Sequence, residues 1–400
     1  MKLRWVCLLA LLGGLSPTLP AMASDGNELY AVGAIQKSIG GAGVASAQDA
    51  TWALLNPAAI TQLEARADLS MEMFFLHVES EPKGFPLVSN PFAGQMEIDA
   101  ALPIPSGGVI VPLKVGTLGF GMFGMQGNAA DFPHPRTTLS LLGNQDRRSS
   151  YQVARIPLSY GYSFENGWSV GASVVPVATR FNTDSITLKL RPTEGDAMWR
   201  YAFGIGFQLG VVKEWEKWSL GACYSSRIWV QDYATYEQDL VTTNLDLPQK
   251  FQVGLAWRPA KRWEIVADWK WTEWSATPLF GSRTIDGGLG WRDQHSYKLG
   301  VIWDINERWT LRAGAAYGRS PIRDQYVFAN AISPALADSH VAAGVSHRFG
   351  KKHELHLSVD HVLPESAVEN GKGDIFSNLT RGTRTAYGED SVTLQYTYRF

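Results

Sequence analysis

Cysteine is nearly absent from this chain. Of 400 residues only two are cysteine, Cys7 and Cys223. Cys7 lies in a leader-like start, so no internal disulfide is expected once that start is removed. Long apolar runs are missing too. After the first residues no window reaches the roughly eighteen apolar residues of a transmembrane helix. Positive charge is not in excess either, with 36 Lys and Arg against 38 Asp and Glu. That balance argues against nucleic acid as a partner.

The start itself is informative. Lys2 and Arg4 precede the apolar run Trp5 to Leu15, and Ala21-Met22-Ala23 offers a small-residue cleavage site. This is the pattern of a secretory signal, expected over residues 1–23. The mature chain would begin near Ser24 with 377 residues (400 − 23) and a charge near −4, from 34 basic and 38 acidic side chains.

What is abundant is aromatic and small: 15 Trp, 14 Tyr and 39 Gly. Export, aromatics and no apolar helix together point to an outer-membrane β-barrel, whose lipid face is diluted by alternating polar residues. Alternation is the direct test, since neighbouring strand residues face opposite ways. Tyr201, Phe203, Ile205, Phe207 and Leu209 share one face against Ala202, Gly204, Gly206 and Gln208. Val392, Leu394, Tyr396, Tyr398 and Phe400 do the same at the end of the chain.

Fourteen such segments are expected, at about 67–77, 101–112, 115–126, 150–164, 168–181, 199–212, 218–231, 249–258, 262–275, 293–305, 308–319, 339–349, 353–363 and 388–400. Tight connections such as Glu165-Asn166-Gly167 and Pro259-Ala260-Lys261 alternate with long ones. Short turns on one side and long loops on the other are the outer-membrane arrangement. Trp168, Trp218, Trp263 and Trp309 each follow a tight turn, where an aromatic girdle belongs.

Against this background Gly40-Gly41-Ala42-Gly43-Val44-Ala45 and Asn56-Pro57-Ala58-Ala59 stand out as neither strand nor ordinary linker. With "LPQKFQVGLAWRP" (247–259), "RWTLRAGAAYGRSP" (308–321) and the terminal "TLQYTYRF", they resemble the FadL family of outer-membrane transporters for long-chain fatty acids and other hydrophobic compounds. The resemblance implies an all-β, fourteen-stranded antiparallel barrel over 66–400 with a hatch of residues 24–65 plugging its lumen. It further implies passive uptake, with Gly40, Gly41, Gly43, Asn56, Pro57 and Ala58 in the gate and a lateral exit beside a kinked strand. Pro57 holds Asn56 extended, which fixes a bend.

Gly119, Gly121 and Gly124 are candidates for that kink, because glycine in a strand permits a bend or a close backbone approach. Lumen glycines that make room for the hatch are the competing explanation. In the family, acidic residues precede the Ser-Pro matching Ser320-Pro321. Gly318 and Arg319 stand there instead; Asp304 or Asp324 could substitute, and nothing in the sequence selects either. Lumen-facing Arg155, Arg200, Arg258, Lys270, Lys298, Arg312 and Arg348 are expected mostly in ion pairs, with Arg155 and Arg312 preferred for a ligand carboxylate. Phe132, Leu139, Leu141 and Leu142 are candidates for an extracellular apolar groove.

No cofactor and no metal are expected; His353 and His356 of the terminal histidine group face opposite sides of a strand. The expected partners are a hydrophobic ligand, outer-membrane lipid and lipopolysaccharide, and the barrel assembly machinery through Phe400, for a monomer in a Gram-negative outer membrane. A general porin, an adhesin, or a barrel hydrolase are the alternatives. The hydrolase suffers from having His340, His347 and His356 without a paired nucleophile.

Overall fold

The computed structural model describes residues 25–83, 96–132, 147–183, 199–233, 244–331 and 333–400. Its strands are β1 (Arg66–Glu81), β2 (Met96–Pro112), β3 (Thr117–Phe132), β4 (Arg147–Arg155 with Leu158–Ser163), β5 (Trp168–Thr183), β6 (Arg200–Glu214) and β7 (Trp218–Ser225 with Trp229–Val230). They continue as β8 (Lys250–Ala260), β9 (Trp263–Thr272), β10 (Gln294–Asp304), β11 (Trp309–Tyr317), β12 (Ser339–Phe349), β13 (His353–Val362 with Glu365–Val368) and β14 (Arg384–Arg399). Each pairs antiparallel with its neighbours, and β14 returns to β1 from Arg66–Arg399 to Glu81–Arg384. The sheet closes into a fourteen-stranded barrel, so no edge is left open at the closure.

Three strands are broken, for local reasons. Pro157 and Pro364 lie in the breaks of β4 and β13, where a residue without an N–H cannot serve the ladder. In β7 the Ser226 hydroxyl accepts from Phe207 N at 2.9 Å and takes the place of a ladder partner.

The outer face is apolar. Leu69, Met71, Met73 and Phe75 of β1 are exposed, while Asp68, Glu72, Phe74 and Leu76 between them are buried. Trp218 stacks on Trp257 at 5.3 Å and Trp263 on Trp303 at 5.2 Å, so the girdle is made of cross-strand pairs. Phe400 directly follows β14 and is exposed, its N–H held by Ala65 O at 3.1 Å. Deleting Phe400 should sharply reduce folded barrel in the outer membrane by removing the terminal aromatic of that strand. Unchanged amounts of the heat-modifiable form would contradict this.

The lumen is filled from below by residues 25–65, which carry helices α1 (Gly33–Ser38) and α2 (Trp52–Leu55) and a 3-10 turn (Ala59–Gln62). Trp52, Ile39 and Ile60 in this segment are fully buried. The wall meets it with glycine. A Cβ on Gly314 would strike the backbone of Ile39 and Gly40, one on Gly221 that of Val44 and Ala45, and one on Gly171 that of Pro57. Backbone lies on backbone there, a separation only glycine permits.

Candidate transport path

Above this segment the inside of the barrel is apolar. Leu29, Val32 and Leu54 join Phe74, Leu76, Leu102, Phe123, Met125, Val175 and Val177 in one buried cluster. The cluster reaches a gap in the wall. The β2–β3 ladder runs from Pro112–Thr117 only to Ser106–Phe123. Beyond it, β2 pairs with β1 and β3 pairs with β4, and among the described residues no rung joins β2 to β3. At the foot of this seam β3 carries a bulge between Gly124 and Gln126. The freed Met125 carbonyl accepts from Leu29 N at 2.8 Å, which ties the N-terminal segment to the seam.

The candidate kink glycines therefore divide. Gly119 faces the lumen, where an added Cβ would lie 3.0 Å from Ala53 Cβ, so it makes room for the inner segment. Gly121 makes room for the buried Phe123 ring. Gly124 adjoins the bulge, and its Cβ would lie 2.8 Å from Ile104 Cγ2 across the seam.

Electrostatics hold the tip of the segment. Glu28 pairs with Arg155 and Lys250. Asp25 pairs with Lys270, with Lys298 at 3.0 Å, and accepts from Ser296 Oγ at 2.6 Å. Burial pushes the Glu28 carboxyl upward, but Arg155 and Lys250 outweigh it and hold it well below the ordinary glutamate range. A buried pair of this kind contributes little net, but removing one partner typically costs about 3–5 kcal/mol. Gly26, with φ of 69°, lies under the Trp274 ring, where no other residue would fit. Arg155, Lys250, Lys270 and Lys298 surround a cavity of about 60 Å³ that Leu29, Val32, Leu54 and Met125 also line. That is far below the roughly 300–1,000 Å³ of sites that enclose drug-sized ligands. The tip has to move before a ligand of that size fits.

Lower down, Asp268 Oδ2 accepts from Gly43 N at 2.8 Å and Val44 N at 3.0 Å. Asn56 closes on itself: its Oδ1 accepts from Ala58 N at 3.0 Å and its Nδ2 donates to Val44 O at 2.7 Å. Asn56 has φ −155° and ψ 107°, the extended geometry expected before Pro57. Gly40 and Gly41 have φ of 67° and 72°, and the Gly40 site lies against Ala315.

Several sequence expectations need correction. The acidic wall residue that holds the glycine-rich turn is Asp268. Asp304 instead accepts from Thr310 Oγ1 at 2.6 Å in the exposed wall, and Asp324 lies in a loop where its carbonyl accepts from Asn370 N at 2.7 Å. Arg155 and Arg312 do not form a pair: Arg155 meets Glu28, whereas Arg312 meets Ser346. Leu139, Leu141 and Leu142 lie outside the described residues, as does the side chain of Phe132. Asp25, Glu28 and Lys250 went unselected. Glu28 is 127 residues from Arg155 and 222 from Lys250, and no local pattern reports such a pairing.

A family model described as "Outer membrane protein transport protein (OMPP1/FadL/TodX)" matches residues 20–400. The long-chain fatty acid transport protein of Salmonella typhi is 24% identical over 197 residues, which are 42% of this chain and 45% of its own length. The relatives matched in this way are thus covered over less than half their length. The fold is also that of the Pseudomonas putida toluene transporter TodX (TM-score 0.70, 16% identity, 93% of this chain and 99% of that one). A Pseudomonas aeruginosa FadL homologue gives a TM-score of 0.71 at 16% identity, over 94% and 100% of the two chains.

Proposed function

The chain belongs to the OMPP1/FadL/TodX family of outer membrane transport proteins, and from that membership we propose that it takes up a long-chain fatty acid across the outer membrane. The ligand enters the apolar cluster from outside, and its carboxylate replaces Glu28 on Arg155 and Lys250. Losing that anchor frees Leu29 from Met125, and the ligand leaves sideways through the β2–β3 seam. Residues 25–65 act as the plug, shifting about Gly40, Gly41, Gly43 and Asn56-Pro57-Ala58. An apolar tail gains nothing from a water-filled exit, so lateral release into lipid suits it.

The observation that carries the choice of substrate is the set of four cations around the small cavity at the base of the apolar cluster. A hydrocarbon brings no charge and could not take the place of Glu28 on Arg155 and Lys250. The test is binding of a long-chain fatty acid and of the alkane of equal length to purified protein. A hydrogen bond to a charged group contributes about 1.5–3 kcal/mol, or roughly 10- to 150-fold in affinity. The fatty acid should bind tighter by a factor in that range, and Arg155→Gln should remove most of the difference. Equal binding of both ligands by the wild type would assign the site to hydrocarbons.

A further inference from the structure

A second polar cluster lies on the inner wall, apart from the cations that hold Glu28 and Asp25. It contains His340 of β12, Asp360 of β13 and Glu389 of β14, which are 2%, 4% and 3% exposed. We propose that these three side chains form a buried site for a divalent transition metal, with zinc the ion that fits best.

The geometry is close to what such an ion needs. One ligand atom from each residue lies within 4.8 Å of the other two. His340 Nδ1 is 3.3 Å from Asp360 Oδ2. That is long for a charge-assisted hydrogen bond, whereas two ligands at about 2.0–2.1 Å from a tetrahedral zinc lie roughly 3.4 Å apart. The imidazole also completes no hydrogen-bond network of its own, because its Nε2 is buried and, among the described residues, has no partner.

The surrounding groups support the same assignment. Tyr30 OH donates to Asp360 Oδ1 at 2.7 Å and Tyr387 OH donates to Glu389 Oε2 at 2.7 Å. Each carboxylate is thus anchored through one oxygen by a hydroxyl, the outer arrangement that orients metal-binding carboxylates. Charge points the same way. Lys37 pairs with Glu72 and is neutralised by it. Ionised together, Asp360 and Glu389 would place two negative charges in this buried site, and a divalent ion would balance them. One imidazole and two carboxylates is a donor set suited to zinc.

Because Tyr30 belongs to the inner segment and the three ligands to the wall, a bound ion would stiffen the surface on which that segment rests. The test is metal content after equilibrium dialysis of purified, folded barrel against zinc. The wild type should retain equimolar zinc. Both His340→Ala and Glu389→Gln should lose it, while His77→Ala, in an exposed cluster with Glu97 and Asp99, should keep it. Heat-modifiability checks that each variant is folded, and Glu389→Gln decides if His340→Ala is not. A wild type without stoichiometric zinc, its carboxylates then balanced by protons, would overturn the proposal. So would folded variants that bind as much as the wild type.

Discussion

Gly314→Val is expected to turn a sealed barrel into a leaky one. Gly314 sits mid-strand in β11, opposite Gly300 and Ala342. An added Cβ there would fall on the backbone of Ile39 and Gly40. Neither side can yield by a rotamer change, since backbone meets backbone. Overpacking of this kind costs about 1–3 kcal/mol, which is roughly 5- to 150-fold in the balance between a seated and an unseated plug. The strand itself tolerates valine well, so barrel abundance should stay normal. Ala315→Val is the matched control, because Ala315 points outward. Permeation of a small polar solute into proteoliposomes should rise for Gly314→Val and stay at the wild-type level for Ala315→Val. A sealed Gly314→Val barrel would mean that the plug does not depend on this approach.

The strands were legible because burial on one face leaves a period of two that any reader can count. The tight turns and the girdle tryptophans were legible for the same local reason. The strand breaks went unread: Pro157 lies inside the segment expected over 150–164 and Pro364 just past 353–363, while Ser226 replaces a ladder bond with its side chain and leaves no such mark. The plug was recognisable by resemblance rather than by pattern. Its partners were not, since Glu28 finds Arg155 and Lys250 only after barrel closure brings β4 and β8 to the same level. Asp268 shows the limit well. It is one charge in a strand that also holds Lys270, and nothing local says that its carboxylate turns to the amides of Gly43 and Val44. The seam was invisible as well. Gly119, Gly121 and Gly124 lie on a strand that borders it, but a missing ladder is a relation between two strands and not a property of either.

The central claim is that an apolar ligand leaves through the wall between β2 and β3, and a reversible cross-link across the seam tests it most directly. Gly124 and Ile104 face each other there, with a Cβ on Gly124 lying 2.8 Å from Ile104 Cγ2. Cysteines at both positions are therefore within disulfide reach. Cys223 is buried on β7 and lines the same small cavity as Met125, so the variants and their reference are made in a Cys223→Ser background. The Ile104→Cys/Gly124→Cys double variant, oxidised in proteoliposomes, should pass a long-chain fatty acid at least tenfold more slowly than that reference. Reduction should restore the rate, and each single variant should transport under both conditions. Fatty-acid transport that is as fast through the cross-linked barrel as through the reduced one would contradict the account, because the ligand would then be leaving by another route.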